Sequence, residues 1–182
     1  MDEAKRALRS RMRAVRRAVP DRQRRTRALW TAVIQHCPPG AVVLAFVGVG
    51  AEPDTSGLFE LLRNRRCTIL LPRVEGEHMV AVAVAEDRPN AALHPGAFGI
   101  PEPVGPPVDP ATIDIVIVPG LSFTRDGRRL GQGGGFYDRF LPLVRDDCRT
   151  IGVCFGEQLV DDLPCEAHDR ILDVVVTDGL QE

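Results

Sequence analysis

Residues 118–139 read VPGLSFTRDGRRLGQGGGFYDR and continue an apolar, β-branched run, residues 113–118, which predicts a buried strand. Four glycines lie within five residues, 131–135, and an amphipathic pattern predicts a helix from Phe136 onward. Because glycine lacks Cβ and tolerates positive φ, such a backbone can approach a ligand closely and direct several N–H groups at it. The start of a helix adds positive potential. Strand, glycine-rich loop and helix in this order predict a phosphate site.

The loop differs from two common phosphate-binding loops. A Walker loop needs a lysine and a Ser or Thr after its glycines, and neither is present here. A Rossmann loop opens directly from its strand, whereas about a dozen residues separate residue 118 from Gly131. A flexible surface turn is the alternative explanation for the glycines. The neighbouring Arg129, Tyr137, Asp138 and Arg139 favour a ligand site, because they add positive charge and a carboxylate that could hold a cation.

The longer pattern P-G-x-x-F-x-x-x-G-x-R-L-G-x-G-x-G-[YF]-Y-D-R-x-L, which this stretch satisfies, resembles the signature of the 5-formyltetrahydrofolate cyclo-ligase (methenyltetrahydrofolate synthetase) family. Further segments resemble that family in the same order along the chain: KRALR at 5–9, EPDT at 52–55, LPR at 71–73, GIPEP at 99–103, and His168-Asp169. The resemblance covers nearly the whole sequence.

The composition is that of a globular protein. The chain has 182 residues, of which 44% are hydrophobic and 26% charged, and this predicts one domain, residues 1–182, in which N-terminal helices (1–37) pack on an α/β core. We expect neither a signal peptide nor a membrane anchor. The five cysteines lack C-x-x-C spacing, which favours reduced thiols over a disulfide framework or a zinc site and predicts a cytoplasmic location.

Positive charge is concentrated at the N-terminus. Residues 1–27 contain eleven Lys or Arg and three Asp or Glu, a balance of +8 in a chain of net charge −2. A solvated helix, a nucleic-acid-binding arm and a site for a phosphorylated small molecule are the three possible explanations. The family resemblance favours the small molecule for Lys5 and Arg9, which lie four apart on one helical face. We expect the other arginines of this segment to be solvated.

Hydrophobic patterning predicts the rest of the fold. Helices are expected at residues 3–19, from about residue 21 and at 56–65. Strands are expected at 42–49, 67–71, 79–85, 113–118, 150–154 and 174–177, and the third of these is expected to be antiparallel or at an edge. A long proline-rich loop is expected at 86–112. The alternation indicates a three-layer α/β sandwich with a mostly parallel sheet and helices on both faces. In such a sheet ligands bind beyond the carboxyl ends of the strands, where 48–54, 72–73, 119–138 and 155–156 are expected.

The family resemblance implies an enzyme that converts 5-formyltetrahydrofolate and ATP into 5,10-methenyltetrahydrofolate, ADP and phosphate, with Mg²⁺. It implies catalytic roles for Arg129, Tyr137 and Lys5. It implies ATP contacts from Lys5, Arg9, Arg129, Leu130, Gly131, Gln132, Gly133, Gly134, Gly135, Phe136 and Tyr137. It implies folate contacts from Val47, Glu52, Phe98, Gln132, Gly133, Gly134, Gly135 and Phe136. It implies metal contacts from Asp138 and Asp169.

Three positions depart from the frequent family pattern. Gln132 stands where many relatives have an aromatic or basic residue, and Gly134 stands where some have a lysine. Phe136 replaces a frequent tyrosine and lacks its hydroxyl. The charge at the transferred phosphate would therefore rest more on Arg129 and the Lys5/Arg9 pair.

Two other functions remain open at this point. A paralogue of the same fold could keep the nucleotide loop and act on, or only bind, another molecule; Glu52 and residues 99–103 argue against it. A nucleic-acid-binding protein would use the basic arm, yet RNA modules interleave aromatics with basic residues, and residues 1–29 contain no aromatic residue. We therefore expect small-molecule partners only, neither nucleic acid nor membrane, and a monomer.

Overall fold

The computed structural model describes residues 2–84, 93–164 and 170–179. The helices are α1 (Asp2–Ala18), α2 (Arg22–Val33), α3 (Ser56–Asn64) and α4 (Phe136–Phe140). The strands are β1 (Val42–Leu44), β2 (Thr68–Glu75), β3 (His78–Ala83), β4 (Leu93–Pro95), β5 (Pro101–Pro103), β6 (Pro107–Val108), β7 (Ile115–Pro119), β8 (Ser122–Phe123), β9 (Arg129–Leu130), β10 (Arg149–Cys154) and β11 (Val174–Thr177). None of the helices in these ranges is long and apolar enough to cross a bilayer.

Seven strands form one sheet in the order β11-β10-β7-β1-β2-β3-β6. The pairings from β11 to β2 are parallel, and β3 pairs antiparallel with both β2 and β6. The prediction of a mostly parallel α/β sheet is confirmed. The connection after β1 leads to its neighbour β2 on one side, whereas the connection after β7 leads to its neighbour β10 on the other side. The strand order therefore reverses between β1 and β7. This switch point is where open α/β sheets bind ligands.

Side chains of the central strands alternate between two apolar layers. Ile115 and Ile117 pack in a cluster with Leu29 of α2 and Leu58 of α3, whereas the intervening strand positions face the opposite layer. That second layer contains Phe140 of α4. Because a strand buried on both faces needs apolar residues at every position, the continuous Ile/Val run of β7 follows directly from this arrangement.

Two strand boundaries differ from the prediction. β1 ends at Leu44 rather than at residue 49, although the chain stays buried through Phe46. β2 does not stop at Pro72 but continues to Glu75, paired with β3. The parallel pairing with β1 ends at Leu70, so the missing N–H of Pro72 removes no ladder bond on that side.

The predicted long loop is largely structured where it is described. From Leu93 onward it forms the antiparallel pair β4–β5 and then β6, which covers the outer edge of β3. β3 is therefore antiparallel, which is one of the two predicted options, but it is not an edge strand. Residues 86–92 of that prediction lie outside the described residues.

The helix predicted from Phe136 is short. α4 has five residues and passes directly into a 3₁₀ turn, Leu141–Leu143, whose Pro142 has no N–H to continue an α-helical ladder. A helix of little more than one turn contributes only a small dipole. An anion at the glycine loop would therefore have to be held by loop N–H groups and by basic side chains.

One buried arginine joins α2 to the ends of two strands. Arg25, 4% exposed, donates Nη1 and Nη2 to Glu157 at 2.5 and 2.6 Å and Nε to Asp178, which also accepts from the N–H of Gly156. These hydrogen bonds raise the pKa of Arg25, and the largest contribution comes from Glu157. The expectation that the arginines beyond Lys5 and Arg9 are solvated is wrong here, because a fully paired guanidinium can be buried.

Candidate active site

A short hairpin carries the chain from β7 to the glycine loop. β8 pairs with β9, and the N–H of Leu121 donates to the carbonyl of Leu130 at 2.8 Å. The dozen residues between β7 and Gly131 therefore form a hairpin that leaves the carboxyl end of β7 and returns to it. Gly131 begins the loop next to the switch point of the sheet.

The glycine loop needs glycine for its backbone conformation at two positions. Gly133 has φ 110° and Gly135 has φ 66°, in the region that side chains with Cβ rarely adopt. Gly135 directly precedes α4, and residues 132–134 are exposed. Leu130, by contrast, is buried beneath the loop. An exposed loop in this conformation can present backbone N–H groups to a ligand.

Helix α1 lies against this loop. Arg9 donates Nε to the carbonyl of Gly131 at 3.2 Å, and Arg13 donates to the Gln132 side-chain oxygen at 3.3 and 3.4 Å and to its carbonyl at 3.4 Å. Lys5, one helical turn before Arg9, is 7% exposed. The structure thus brings the basic face of α1 to the predicted nucleotide loop.

Arg129 and Asp138 connect the two ends of the loop. Arg129 donates Nη2 to Asp138 Oδ1 at 2.5 Å and Nη1 to the Pro119 carbonyl at 3.4 Å. Its guanidinium also lies 5.6 Å from the centroid of the Tyr137 ring, within cation–π range. Three residues named from the sequence, Arg129, Tyr137 and Asp138, therefore form one cluster at the end of β7.

The Tyr137 hydroxyl is buried in this cluster. Among the described residues it has no hydrogen-bond partner. Burial raises the pKa of Tyr137 well above its usual value, the Arg129 charge partly opposes the shift, and the Glu52 carboxylate adds to it. The phenol consequently stays protonated near neutral pH, and in a ligand complex it is a hydrogen-bond donor rather than a base.

Glu52 follows β1 on the other side of the switch point. Its Oε1 accepts from Arg16 Nη1 at 3.2 Å, and its Oε2 accepts from the N–H of Val49 at 3.2 Å. Arg16 Nη1 also approaches the Gly120 carbonyl at 3.5 Å. The carboxylate is therefore held in place between the loops that follow β1 and β7.

Sequence reasoning misses the role of two arginines here. It predicts that Arg16 and Arg22 are solvated, but Arg16 is buried and Arg22 is half-buried. Arg22 donates to the carbonyl of Arg16 at 2.7 Å and to that of Glu52 at 3.2 Å. The sequence carries one signal for Arg16: it lies seven residues after Arg9, two turns along the same helical face.

The residues expected to line a folate pocket are placed unequally. Phe98, 79% exposed and with φ 58°, meets Phe136 edge-on with 5.9 Å between ring centroids. Arg139 lies 5.2 Å from the Phe136 ring and donates to the Gly134 carbonyl. Val47 is partly buried against the apolar cluster of α2 and α3. The aromatic pair thus borders the glycine loop, whereas Val47 packs against the core.

Of the two predicted metal contacts, only Asp138 can be placed, because Asp169 lies outside the described residues. No group of three or more His, Cys, Asp or Glu side chains suited to a metal occurs in the described part of the chain. Asp138 offers one half-exposed carboxylate beside the loop, and its Oδ1 is bound to Arg129. This donor set suits Mg²⁺ only when phosphate oxygens and water supply most of the ligands, which is how Mg²⁺ is usually bound beside a nucleotide.

A groove of about 530 Å³ opens between α2 and the start of α3. Its lining includes Arg22, Trp30, Glu52 and Asp54, but no residue of the glycine loop. It therefore meets the site described above at Arg22 and Glu52. The charged groups and the glycine loop identify the site better than the volume of this groove does.

Comparisons with known proteins show the family of the chain. The model of the 5-formyltetrahydrofolate cyclo-ligase family matches residues 1–178. The 5-formyltetrahydrofolate cyclo-ligase of Mycolicibacterium smegmatis is 34% identical over 144 residues, which cover 76% of this chain and 74% of the relative. That of Escherichia coli is 32% identical over 139 residues, with 74% and 76% covered.

Two solved structures share the fold. The 5,10-methenyltetrahydrofolate synthetase of Aquifex aeolicus superposes with a TM-score of 0.81 at 32% identity, covering 97% of this chain and 90% of that one. The Mycoplasma pneumoniae synthetase, at 21% identity, gives a TM-score of 0.76 over 96% and 99% and supports the fold alone. The resemblance found in the sequence is confirmed over residues 1–178. The protein is a member of the 5-formyltetrahydrofolate cyclo-ligase family.

Proposed function

We propose that the protein is an enzyme that converts 5-formyltetrahydrofolate and ATP into 5,10-methenyltetrahydrofolate, ADP and phosphate. The observation that carries this proposal is the convergence, at the switch point between β1 and β7, of the glycine loop with Arg9, Arg129 and Glu52 in a chain of this family. In this proposal the protein acts as a cytoplasmic monomer on small molecules. The four described cysteines, all buried and unpaired, agree with a reducing compartment.

The chemistry requires activation of the formyl group. A formamide oxygen is a poor leaving group, so transfer of the γ-phosphoryl group to that oxygen precedes attack by N10 on the formyl carbon, and phosphate then leaves. Phosphoryl transfer depends mainly on positioning and on charge neutralisation. Lys5, Arg9 and Arg129 supply the positive charge, and the backbone of residues 130–137 supplies N–H donors. Tyr137, which stays protonated, donates a hydrogen bond.

At the folate end, Glu52 accepts hydrogen bonds from the ring. A carboxylate can take the paired N–H groups of a 2-amino-4-oxo ring, because each oxygen has two acceptor positions. Phe98 and Phe136 form apolar walls, the part of Val47 that does not pack against the core adds to them, and the loop residues 132–135 separate the folate from the nucleotide. The edge-on contact of Phe98 with Phe136 supports this placement for the two aromatic residues.

Asp138 is the described residue that would hold Mg²⁺, with Asp169 as the proposed second contact. The ion would neutralise charge on the phosphates of ATP. Asp138 has a second task independent of any metal: it holds the Arg129 guanidinium against the end of β7. Both tasks require the carboxylate charge.

Replacing Glu52 by Gln should raise the KM for 5-formyltetrahydrofolate about 10- to 100-fold, because one charge-assisted hydrogen bond is worth about 1.5–3 kcal/mol. The KM for ATP should change less than about threefold by the same scale. Steady-state kinetics with each substrate varied in turn measures both. Glu60→Gln, on the exposed side of α3, is the matched control. An equal increase in the KM for both substrates would instead assign Glu52 a structural role.

A further inference from the structure

Arg16 and Glu52 form a buried ion pair beside the switch point between β1 and β7. Arg16 is 7% exposed, and its Nη1 reaches Glu52 Oε1 at 3.2 Å and the Gly120 carbonyl at 3.5 Å. Arg22 holds the backbone of the same two residues through their carbonyl oxygens. Arg16 thus binds the Glu52 carboxylate directly, while Arg22 holds the main chain of both residues and the Gly120 carbonyl accepts from Arg16.

This pair is not arranged for maximal stability. Arg16 Nε is buried and has no partner among the described residues. Burial lowers the pKa of Arg16, an effect that the Glu52 carboxylate only partly offsets. A buried polar group without a partner destabilises a fold, and a buried ion pair often contributes no more than apolar residues of similar size would.

Arg25 provides an internal comparison. It is equally buried and lies in the same N-terminal segment, but its Nε, Nη1 and Nη2 all donate to carboxylates. Arg25 therefore has the hydrogen bonding of a structural arginine, whereas Arg16 lacks it. The difference indicates that the position of Glu52, rather than stability, is what Arg16 provides.

We propose that Arg16 is a positioning residue for the folate: it holds the Glu52 carboxylate oriented for the N–H groups of the ring. With Arg16 on Oε1 and the Val49 N–H on Oε2, each oxygen keeps one acceptor position for paired donors. The contact of Arg16 with Gly120 fixes the carboxylate relative to the segment that leads to the glycine loop. This proposal rests on the proposed assignment of Glu52 to the folate.

The test measures kcat and both KM values for Arg16→Met and Arg16→Lys. Arg16→Met should raise the KM for 5-formyltetrahydrofolate about 10- to 100-fold and the KM for ATP less than about threefold. Arg16→Lys should recover part of the folate affinity, because an ammonium donor can still reach one carboxylate oxygen. Arg17→Met, an exposed neighbour on α1 with the same change of charge, should leave both values unaltered.

A double-mutant cycle with Glu52→Gln isolates the interaction. If Arg16 acts through Glu52, the double variant should raise the folate KM about as much as Glu52→Gln alone. Fully additive effects would overturn the proposal. If Glu52→Gln leaves the folate KM unchanged, the assignment of Glu52 fails. If the Arg16 variants leave the folate KM unchanged but Glu52→Gln raises it, the positioning role of Arg16 fails while the assignment of Glu52 stands.

Stability measurements exclude a merely structural role. Thermal unfolding of Arg16→Met is compared with that of Arg25→Met, which removes the fully paired arginine and should lower the melting temperature more. Equal increases in both KM values for Arg16→Met, together with unfolding as early as that of Arg25→Met, would overturn the proposal. If Arg16→Met does not fold, Arg16→Lys decides the question: a larger increase in the KM for 5-formyltetrahydrofolate than in the KM for ATP supports the proposal, and equal increases overturn it.

Discussion

Replacing Lys5 and Arg9 together by alanine should raise the dissociation constant for ATP at least about a hundredfold, because the change removes two charge-assisted hydrogen bonds worth about 1.5–3 kcal/mol each. The structure brings this face of α1 to the loop: Arg9 contacts Gly131, and Lys5 lies buried one turn earlier. Isothermal titration calorimetry with ATP measures this dissociation constant.

The matched control is Arg6→Ala with Arg11→Ala, two exposed residues of the same helix. Both double variants lower the N-terminal charge balance from +8 to +6, so a difference between them reports position and not charge. An ATP titration that is unaltered by the Lys5/Arg9 substitution would remove α1 from the active site.

The same variants test the nucleic-acid alternative. Nucleic-acid binding through the bulk charge of the arm would weaken only slightly, and equally, in both double variants. The slope of the logarithm of the binding constant against the logarithm of salt concentration would fall by about one for each phosphate that is no longer neutralised. The structure argues against this alternative, because Arg16, Arg22 and Arg25 are engaged inside the fold. The arm therefore offers fewer charges to a partner than its sequence suggests.

Replacing Asp138 by Asn should lower kcat at least about a hundredfold while changing the melting temperature little. Asparagine keeps the shape of aspartate but removes the charge that holds Arg129 at 2.5 Å and that would contact Mg²⁺. Rates measured across a magnesium titration separate the two tasks, since removal of a metal ligand shifts the magnesium dependence and removal of the Arg129 partner does not.

Asp147→Asn is a suitable control, because Asp147 forms an exposed ion pair with Arg145 away from the loop. A near-normal rate with a normal magnesium dependence would reduce Asp138 to a residue of the helix end. A hundredfold decrease in rate without any shift in magnesium dependence would support the Arg129 role and would argue against the metal contact.

The features that the sequence predicts correctly are those that depend on local pattern. The Ile and Val runs of β7 and β11, the Ile and Val residues of β10 and the spacing of leucines in α3 identify elements whose burial repeats along the chain. The carboxyl ends of parallel strands must meet at one edge, so the order of elements alone is enough to place the loops after β1 and β7 together. The glycine loop, Arg129 and Asp138 can be placed together at this edge in this way.

The features that sequence reasoning misses depend on contacts between distant residues. Nothing local to Arg25 shows that Glu157 and Asp178 will surround it, and an arginine-rich helix looks solvated until its partners are known. Strands as short as β8 and β9, two residues each, leave no periodic pattern. Pro72 resembles the end of a strand, because only the sheet order shows that the pairing with β1 has already ended there.

The most direct test of the proposed activity follows the near-ultraviolet absorbance of the methenyl product. Purified protein is incubated with 5-formyltetrahydrofolate, ATP and Mg²⁺, and ADP is measured in parallel; controls omit ATP or the metal. We expect absorbance to rise only in the complete mixture, with one ADP formed for each methenyl product. A protein that binds both substrates, yet forms neither product with any of several divalent metals while a relative does so under the same conditions, would contradict the assignment.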